Sequence, residues 1–265
     1  MHGARPGART LGAVNPWALN AAAIATAMFA LWLLSLKLRD SSIVDIFWGL
    51  GFVLVAWVTA LTGAIGPRGW PVVGLVTLWG LRLAGYLFWR NHARGEDPRY
   101  VAMRARHGTA WPLRSLVIVF GLQGALLWII SLPVQWAIPS PALLGPFDAV
   151  GFCLVLVGVG FESLGDFQLA RFKARAENKG KVMDQGLWRY TRHPNYFGDF
   201  VTFWGLFAFA LGAGGGWTVV GPLVISTLLM RVSGVPLLEK GMAGRPGYAE
   251  YLRRTRAFFP GPPRD

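Results

Sequence analysis

Long apolar stretches alternate with short polar segments along most of the chain. Each stretch approaches the roughly 20 residues that one helix needs to cross the hydrocarbon core of a bilayer. The stretches cover residues 17–36, 43–62, 71–89, 115–133, 147–165, 197–212 and 217–238. The pattern therefore predicts about seven transmembrane helices, of which the short stretch 197–212 is expected to be tilted or partly interfacial.

The composition agrees with a membrane protein. Hydrophobic residues make up 54% of the chain, charged residues only 15%, and the mean hydropathy is +0.42. The 13 Trp and 17 Phe suit lipid-facing helices with aromatic belts at the membrane surfaces. We therefore predict an all-α integral membrane protein. Residues 1–265 form a single transmembrane domain, and its first 16 residues are a short N-terminal tail.

The 26 Lys and Arg residues predict the orientation in the membrane. Of these, 22 fall in alternate loops or at the span ends beside them, the opposite side has only Arg5, Arg9 and Arg68, and Arg82 lies within a span. Since basic residues concentrate on the cytoplasmic side, the N-terminus is expected outside and the C-terminus in the cytoplasm. The loop 171–197 and the C-terminal tail 239–265 are then cytoplasmic. The net charge of +13 could indicate a nucleic-acid-binding protein, but this distribution argues against one.

A polar segment lies just before the sixth predicted span. Residues 186–199 read GLWRYTRHPNYFGD. Pro194 suits the first position of a helix, and Asn195 and Asp199 are spaced to share one face of it. Because the first backbone N–H groups and the positive end of the dipole are available at such a helix start, an anionic group such as a phosphate is favoured there.

Several ionisable residues lie inside the predicted spans, where they are costly and tend to be functional. Asp45 lies in the second span. Arg82 and Tyr86 are four residues apart on the third, and Glu162 and Asp166 are four apart on the fifth, so each pair is expected to share a face. The alternative for each carboxylate is that it pairs with an arginine only to tolerate burial.

Other kinds of site have no counterpart in the sequence. The other three histidines show no metal-ligand spacing with His193, so no metal site is expected. There is no Ser-His-Asp pattern, Walker loop or strand-borne G-x-G-x-x-G. Cys153, the only cysteine, is expected to be a small core residue, and Asp148, at the outer end of a span, is expected to be solvated.

Five short motifs occur together over roughly residues 40–260. They are WGLRL at 79–83, GEDPRY at 95–100, RHPNYFGD at 192–199, SGVP at 233–236 and YAEYLRRTRAFFP at 248–260. In combination they resemble a bacterial branch of the steroid 5-alpha-reductase superfamily. The Arg-His-Pro-x-Tyr core is also shared by isoprenylcysteine and phospholipid methyltransferases, so that core alone does not choose the chemistry.

The resemblance implies a seven-helix enzyme of the bacterial inner membrane that takes NADPH from the cytoplasmic side. Its substrate would be a lipid-like enone from the bilayer, and neither a nucleic acid nor an obligatory protein partner is implied. Asp199 stands where the reductases have Glu. The expected cofactor-binding residues include polar side chains of the segment 186–199. They are Asp166, Lys173, Tyr190, Arg192, His193, Asn195, Tyr196, Asp199, Tyr251 and Arg254.

Reduction of an activated C=C bond needs a hydride and an acid that polarises the conjugated carbonyl. The better-known reductases use a Glu on an early helix and a Tyr on a later one to hydrogen-bond that carbonyl. By this resemblance, Asp45 and Tyr86 are the candidate catalytic residues.

The choice of cofactor rests on the basic residues of the 171–197 loop. They favour NADPH over NADH because charge-assisted contacts to an additional phosphate are strong. The alternative is a polybasic surface that binds anionic lipid. A methyltransferase that uses S-adenosylmethionine is the second function, supported by the shared core and Glu239. A scaffold or lipid transporter would explain the spans but not the polar entrance. The basic residues are Lys173, Arg175, Lys179, Lys181, Arg189 and Arg192.

Overall fold

The structure is a computed structural model that describes residues 15–92 and 95–264. These residues contain helices and no β-strand. The predicted N-terminal tail, residues 1–16, lies almost entirely outside them. The helices are α1 (Pro16–Leu38), α2 (Ile43–Thr62), α3 (Gly69–Asn91), α4 (Pro98–Ile130), α5 (Leu132–Ala137), α6 (Pro146–Ala174), α7 (Pro194–Gly212), α8 (Gly216–Met242) and α9 (Tyr248–Arg254).

Six helices in the described part of the chain are long and apolar enough to cross a membrane: α1, α2, α3, α4, α6 and α8. The remaining predicted span corresponds to α7, a 19-residue helix outside this set, in which ten residues are buried. The all-α fold and its apolar spans are thus confirmed. A seventh span and the orientation of the termini remain predictions.

Helices α6 and α7 pack with their backbones in direct contact, through glycines. A Cβ atom on Gly198 would lie 2.6 Å from the backbone N of Glu162 and 2.6 Å from the carbonyl O of Gly158. A Cβ on Gly158 would lie 2.6 Å from the carbonyl O of Gly198. Because no side chain separates the two helices here, the carboxylates of Glu162 and Asp199 are brought close together.

Replacing Gly198 with Ala is expected to destabilise the protein by about 1–3 kcal/mol, the usual cost of overpacking. The added methyl group would push α7 away from α6 and displace Asp199. Gly160→Ala on α6 is the matched control, since no heavy atom lies within 4 Å of its Cβ position. Thermal unfolding in detergent measures both, and equal melting temperatures for the two variants would show that the glycine contact does not matter.

Some element boundaries differ from the sequence prediction. Helix α4 begins well before residue 115 and contains a π-helical segment at Leu116–Gly121. Helix α6 continues to Ala174, so the predicted loop 171–197 starts later than expected. The extension is favourable because Arg171 and Lys173 lie in the last turn, where the helix dipole stabilises basic side chains. The predicted tail 239–265 begins inside α8 and includes α9.

The expectations for Asp148 and Cys153 were wrong. Asp148 is only 6% exposed and accepts from Arg68, with Nε 2.7 Å from Oδ1 and Nη2 3.1 Å from Oδ2. Arg68 is fully buried and also donates to the Leu143 carbonyl O at 2.9 Å. The two hydrogen bonds from Arg68 replace the water that the buried carboxylate has lost. Nothing near Asp148 in the sequence indicated this partner. Cys153 is exposed on the surface of α6.

Candidate active site

One guanidinium faces three carboxylates between α3, α6 and α7. Arg82 Nη1 lies 2.5 Å from Glu162 Oε1, and Arg82 also forms an ion pair with Asp166. The indole N–H of Trp79 donates to both Glu162 Oε2 at 3.1 Å and Asp199 Oδ1 at 3.2 Å. These five residues form the Arg82 cluster. Glu162 and Asp166 are each 3% exposed, so the ion pairs replace water as the partners of their charges.

Tyr86 and Asn195 extend the Arg82 cluster. The Arg82 guanidinium lies 5.5 Å from the centre of the Tyr86 ring, and Arg90 lies 5.8 Å from it on the same helix. The amide of Asn195 donates to Asp166 Oδ1 at 3.4 Å. The predicted shared face of Arg82 and Tyr86 is therefore confirmed.

Asp45 lies in a second polar cluster, at the start of α2. It accepts from the Tyr100 hydroxyl at 2.7 Å and from Arg99 Nη2 at 2.8 Å. Gln123 Nε2 in turn donates to the Tyr100 oxygen at 3.2 Å. Arg99 and Tyr100 belong to the GEDPRY motif and come from the first turn of α4. Residues of α4 therefore fix the position of the Asp45 carboxylate, which accepts their hydrogen bonds.

Tyr196 of α7 lies between the two clusters. Its phenol is close enough to Asp45 and Arg99 of one cluster, and to Asp199 of the other, to be influenced by their charges. Its ring stacks on His193, with centroids 5.6 Å apart and planes tilted by 9°. Tyr196 is therefore close to both clusters, and its ring contact with His193 lies at the polar start of α7.

The C-terminal part of the chain folds back over the start of α7. Glu239 Oε1 accepts from Arg192 Nε at 2.8 Å and Nη2 at 2.7 Å, and lies 3.2 Å from His193 Nε2. The Tyr251 hydroxyl donates to the Trp188 carbonyl O at 2.6 Å. Burial raises the pKa of Tyr251, so this hydroxyl stays protonated as a donor.

A cavity of about 470 Å³ lies beside this contact, between the end of α6, the loop after it, the start of α7 and the end of α8. Six cationic side chains line it and no carboxylate is among its described lining residues, so we call it the basic cavity. His193, Trp188 and Tyr251 form other parts of its wall. The six cations are Lys173, Arg175, Lys179, Lys181, Arg192 and Arg245.

Two further cavities adjoin the basic cavity. One, of about 800 Å³, shares Lys179, Lys181 and Tyr251 with it and is also lined by Arg254. The other, of about 210 Å³, shares Lys173 and contains Tyr86. The basic cavity is therefore adjacent to the small cavity that Tyr86 lines.

The structure brings some of the expected site residues together and keeps others apart. Lys173, Arg192, His193 and Tyr251 line the basic cavity. Asp166, Asn195 and Asp199 lie in or beside the Arg82 cluster and are not part of that wall. Tyr190 is 45% exposed and lies outside the wall. The cofactor contacts expected for all ten of the predicted residues remain predictions.

Sequence reasoning did not assign a role to Trp79, Arg99 or Tyr100. Trp79 lies in the WGLRL motif and the other two in GEDPRY, so the motifs marked the segments without showing what each side chain contacts. The contact of Glu239 with Arg192 joins residues 47 positions apart and has no local signal in the sequence.

Comparison with known proteins identifies the family. The family profile described as "Protein of unknown function (DUF1295)" matches residues 31–255. The chain belongs to this family. DUF1295 is a steroid 5-alpha-reductase-like family, which confirms the resemblance at that level. One curated relative, "Probable O-methyltransferase ustE" of Ustilaginoidea virens, is 32% identical over 149 residues, which cover 51% of each chain. The DUF1295 chain thus matches about half the length of that relative, and no solved structure matches it.

Proposed function

We propose that the protein is an NADPH-dependent membrane reductase that reduces an activated C=C bond in a lipid-like substrate, a steroid or another enone. The observation that carries the proposal is the basic cavity, where six cations line one wall; Arg192 among them is paired with Glu239, which is not one of the described lining residues. Such a wall favours a ligand with several negative charges. NADPH has phosphates on its bridge and on one ribose, and charge-assisted contacts to phosphate are strong.

The residues present fit NADPH. Lys179 and Lys181 lie in the shared wall of the basic cavity and its larger neighbour, where both cavities could contact the phosphates of one dinucleotide. His193 adds a buried ring nitrogen, Nδ1, that has no hydrogen-bond partner among the residues the structure describes. Uncharged ligand groups therefore have a polar contact in addition to the cations.

When bound, NADPH supplies the hydride for the β-carbon of the enone, and the α-carbon takes up a proton. The chain would position the substrate and polarise its carbonyl. Tyr86 suits this role because it lies next to the basic cavity. Asp45 would act with Tyr100, which it already binds. The substrate would enter from the bilayer, with the basic cavity on the cytoplasmic side, as the charge distribution indicates.

A methyltransferase is the second candidate, because the curated relative is named an O-methyltransferase. The Arg-His-Pro-Asn-Tyr core and Glu239 support it. S-adenosylmethionine, however, is cationic at sulfur and has no phosphate, so six cations would contribute little to its binding. The charge of the cavity therefore favours the nucleotide.

Native mass spectrometry of the purified protein in mild detergent tests the proposal. The protein is incubated with NADPH, NADH and S-adenosylmethionine, separately and in competition. We expect retention of NADPH, with NADH weaker. Retention of S-adenosylmethionine in place of NADPH would support the methyltransferase, and a preference for NADH would contradict the proposed role of the cations.

Removing charge from the cavity wall is expected to weaken NADPH binding. Lys179→Met and Lys181→Met should each lower the affinity roughly ten-fold, since each removes a donor to a charged group. The salt dependence of binding should decrease as well. Lys240→Met is the matched control, because Lys240 is exposed and lies outside the cavity wall. Equal losses in all three variants would indicate a general charge effect.

A further inference from the structure

His193 has a buried ring nitrogen that no other described residue contacts through a hydrogen bond. The residue is 4% exposed and lines the basic cavity, yet its Nδ1 has no hydrogen-bond partner in the described part of the chain. Buried polar atoms without a partner are uncommon in proteins and costly. Because His193 forms part of a cavity wall, a ligand bound in that cavity is a candidate for the missing partner.

The contact on the other side of the ring determines what Nδ1 can do. Nε2 lies 3.2 Å from Glu239 Oε1, the oxygen that also accepts two N–H groups of Arg192. A carboxylate only accepts, so Nε2 carries the hydrogen and a neutral ring has its lone pair on Nδ1. Burial lowers the pKa of His193, and Arg192 lowers it further, against the effect of Glu239. The ring is therefore neutral at neutral pH.

We propose that Nδ1 of His193 accepts a hydrogen bond from an N–H or O–H group of the nucleotide in the basic cavity, so that the site binds only while the imidazole is neutral. The inference rests on the proposed function. The partner cannot be an ionised phosphate, because phosphate oxygens only accept. It must be an uncharged donor of the nucleotide, such as a ribose hydroxyl, the carboxamide or the adenine amino group.

The charged surroundings of His193 reinforce this assignment. Besides Glu239, the groups near it are Arg192 and the stacked ring of Tyr196, and it shares the cavity wall with the other five cations and with Tyr248 and Tyr251 from α9. The cations already supply the attraction for phosphate. Protonating His193 would add little to that attraction, and it would convert the single acceptor into a second donor.

The affinity for the nucleotide should therefore fall when the pH is lowered through the depressed pKa of His193. If His193 were instead a cation for phosphate, the affinity would rise over the same range. The two roles predict opposite signs. The phosphate on the ribose also titrates, with a pKa near about 6, so the comparison must be made between wild type and variants rather than within the wild type alone.

The test measures NADP⁺ affinity against pH by calorimetry on the full chain in detergent; the oxidised form is used because the reduced form decomposes in acid. We expect the wild type to lose roughly ten-fold or more of its affinity on acidification. His193→Leu should bind weakly at every pH. His193→Asn keeps an oxygen acceptor near the position of Nδ1 but cannot titrate, so it should recover most of the lost affinity and show only the pH dependence of the phosphate.

Nitrogen NMR of histidine-labelled protein gives an independent readout. The signal of His193, assigned by its loss in His193→Asn, should show the Nε2–H tautomer, and its Nδ1 shift should move when NADP⁺ is added. A protonated Nδ1 at neutral pH overturns the proposal. Normal binding with the same pH profile in wild type and His193→Asn refutes only the hydrogen bond. Failure of the wild type to bind NADP⁺ at every pH refutes the nucleotide itself and the donor assigned to it.

Discussion

Replacing Arg82 with Leu is expected to destabilise the protein by about 3–5 kcal/mol, the usual cost of removing one partner of a buried ion pair. Arg82 is the cation paired with Glu162 and Asp166, both of which are almost fully buried. Without it, the two carboxylates would remain next to Asp199 with only the Trp79 N–H and the Asn195 amide as donors. In an apolar bundle such uncompensated charge is more costly than a missing contact.

Reversible unfolding in detergent and denaturant measures the effect. Arg90→Leu is the matched control, because Arg90 is on the same helix and near the same Tyr86 ring but forms no ion pair with the buried carboxylates. A second test removes one of the carboxylates that is left without its cation. Adding Asp166→Asn to Arg82→Leu should recover part of the lost stability. If Arg82→Leu unfolds like Arg90→Leu, the cluster does not depend on this charge.

The helices and the local pairs could be predicted from the sequence because both depend on near neighbours in the chain. The apolar run 43–62 coincides with α2. Arg82 and Tyr86 share a face because they are one helical turn apart. Pro194 was predicted to begin a helix, and it is the first residue of α7.

The partners of the polar groups could not be predicted, because they depend on packing between distant segments. Asp45 is 54 residues from Arg99, and their contact exists only because the start of α4 packs against the start of α2. The basic cavity likewise combines the end of α6 with residues beyond 238. The sequence indicated a cationic loop, but only the fold shows that five cations of this loop share one cavity with Arg245.

The asymmetry between the two polar regions has a physical consequence for the reaction. In the Arg82 cluster, Glu162 and Asp166 are both paired with Arg82, whereas the basic cavity gathers six cations and, among the described residues, one buried nitrogen without a hydrogen-bond partner. Paired charges fix the geometry of α3, α6 and α7, whereas side chains that line a cavity can contact a ligand. On this basis, Asp166, Asn195 and Asp199 would hold the helices around the basic cavity in place without contacting a ligand in it.

Replacing Asp45 with Asn, or Tyr86 with Phe, is expected to lower turnover roughly 10²–10³-fold, or about 2.7–4 kcal/mol of transition-state stabilisation, as for loss of one donor to a developing oxyanion. In Tyr86→Phe the donor itself is lost. In Asp45→Asn the carboxylate that orients Tyr100 and Arg99 is lost. Neither residue lines the basic cavity, so NADPH affinity should change little.

Turnover is measured from NADPH oxidation with a verified enone substrate in nanodiscs, and affinity from NADPH titration of the same samples. Thr62→Val is the matched control, since it also removes one hydroxyl and Thr62 is exposed at the end of α2, away from both clusters, and it should retain wild-type turnover. A loss of NADPH affinity equal to the loss of turnover would make Asp45 and Tyr86 structural supports of the cofactor site. Wild-type turnover in both variants would exclude them from catalysis, and Tyr196, which lies between the two clusters, would be the next residue to test.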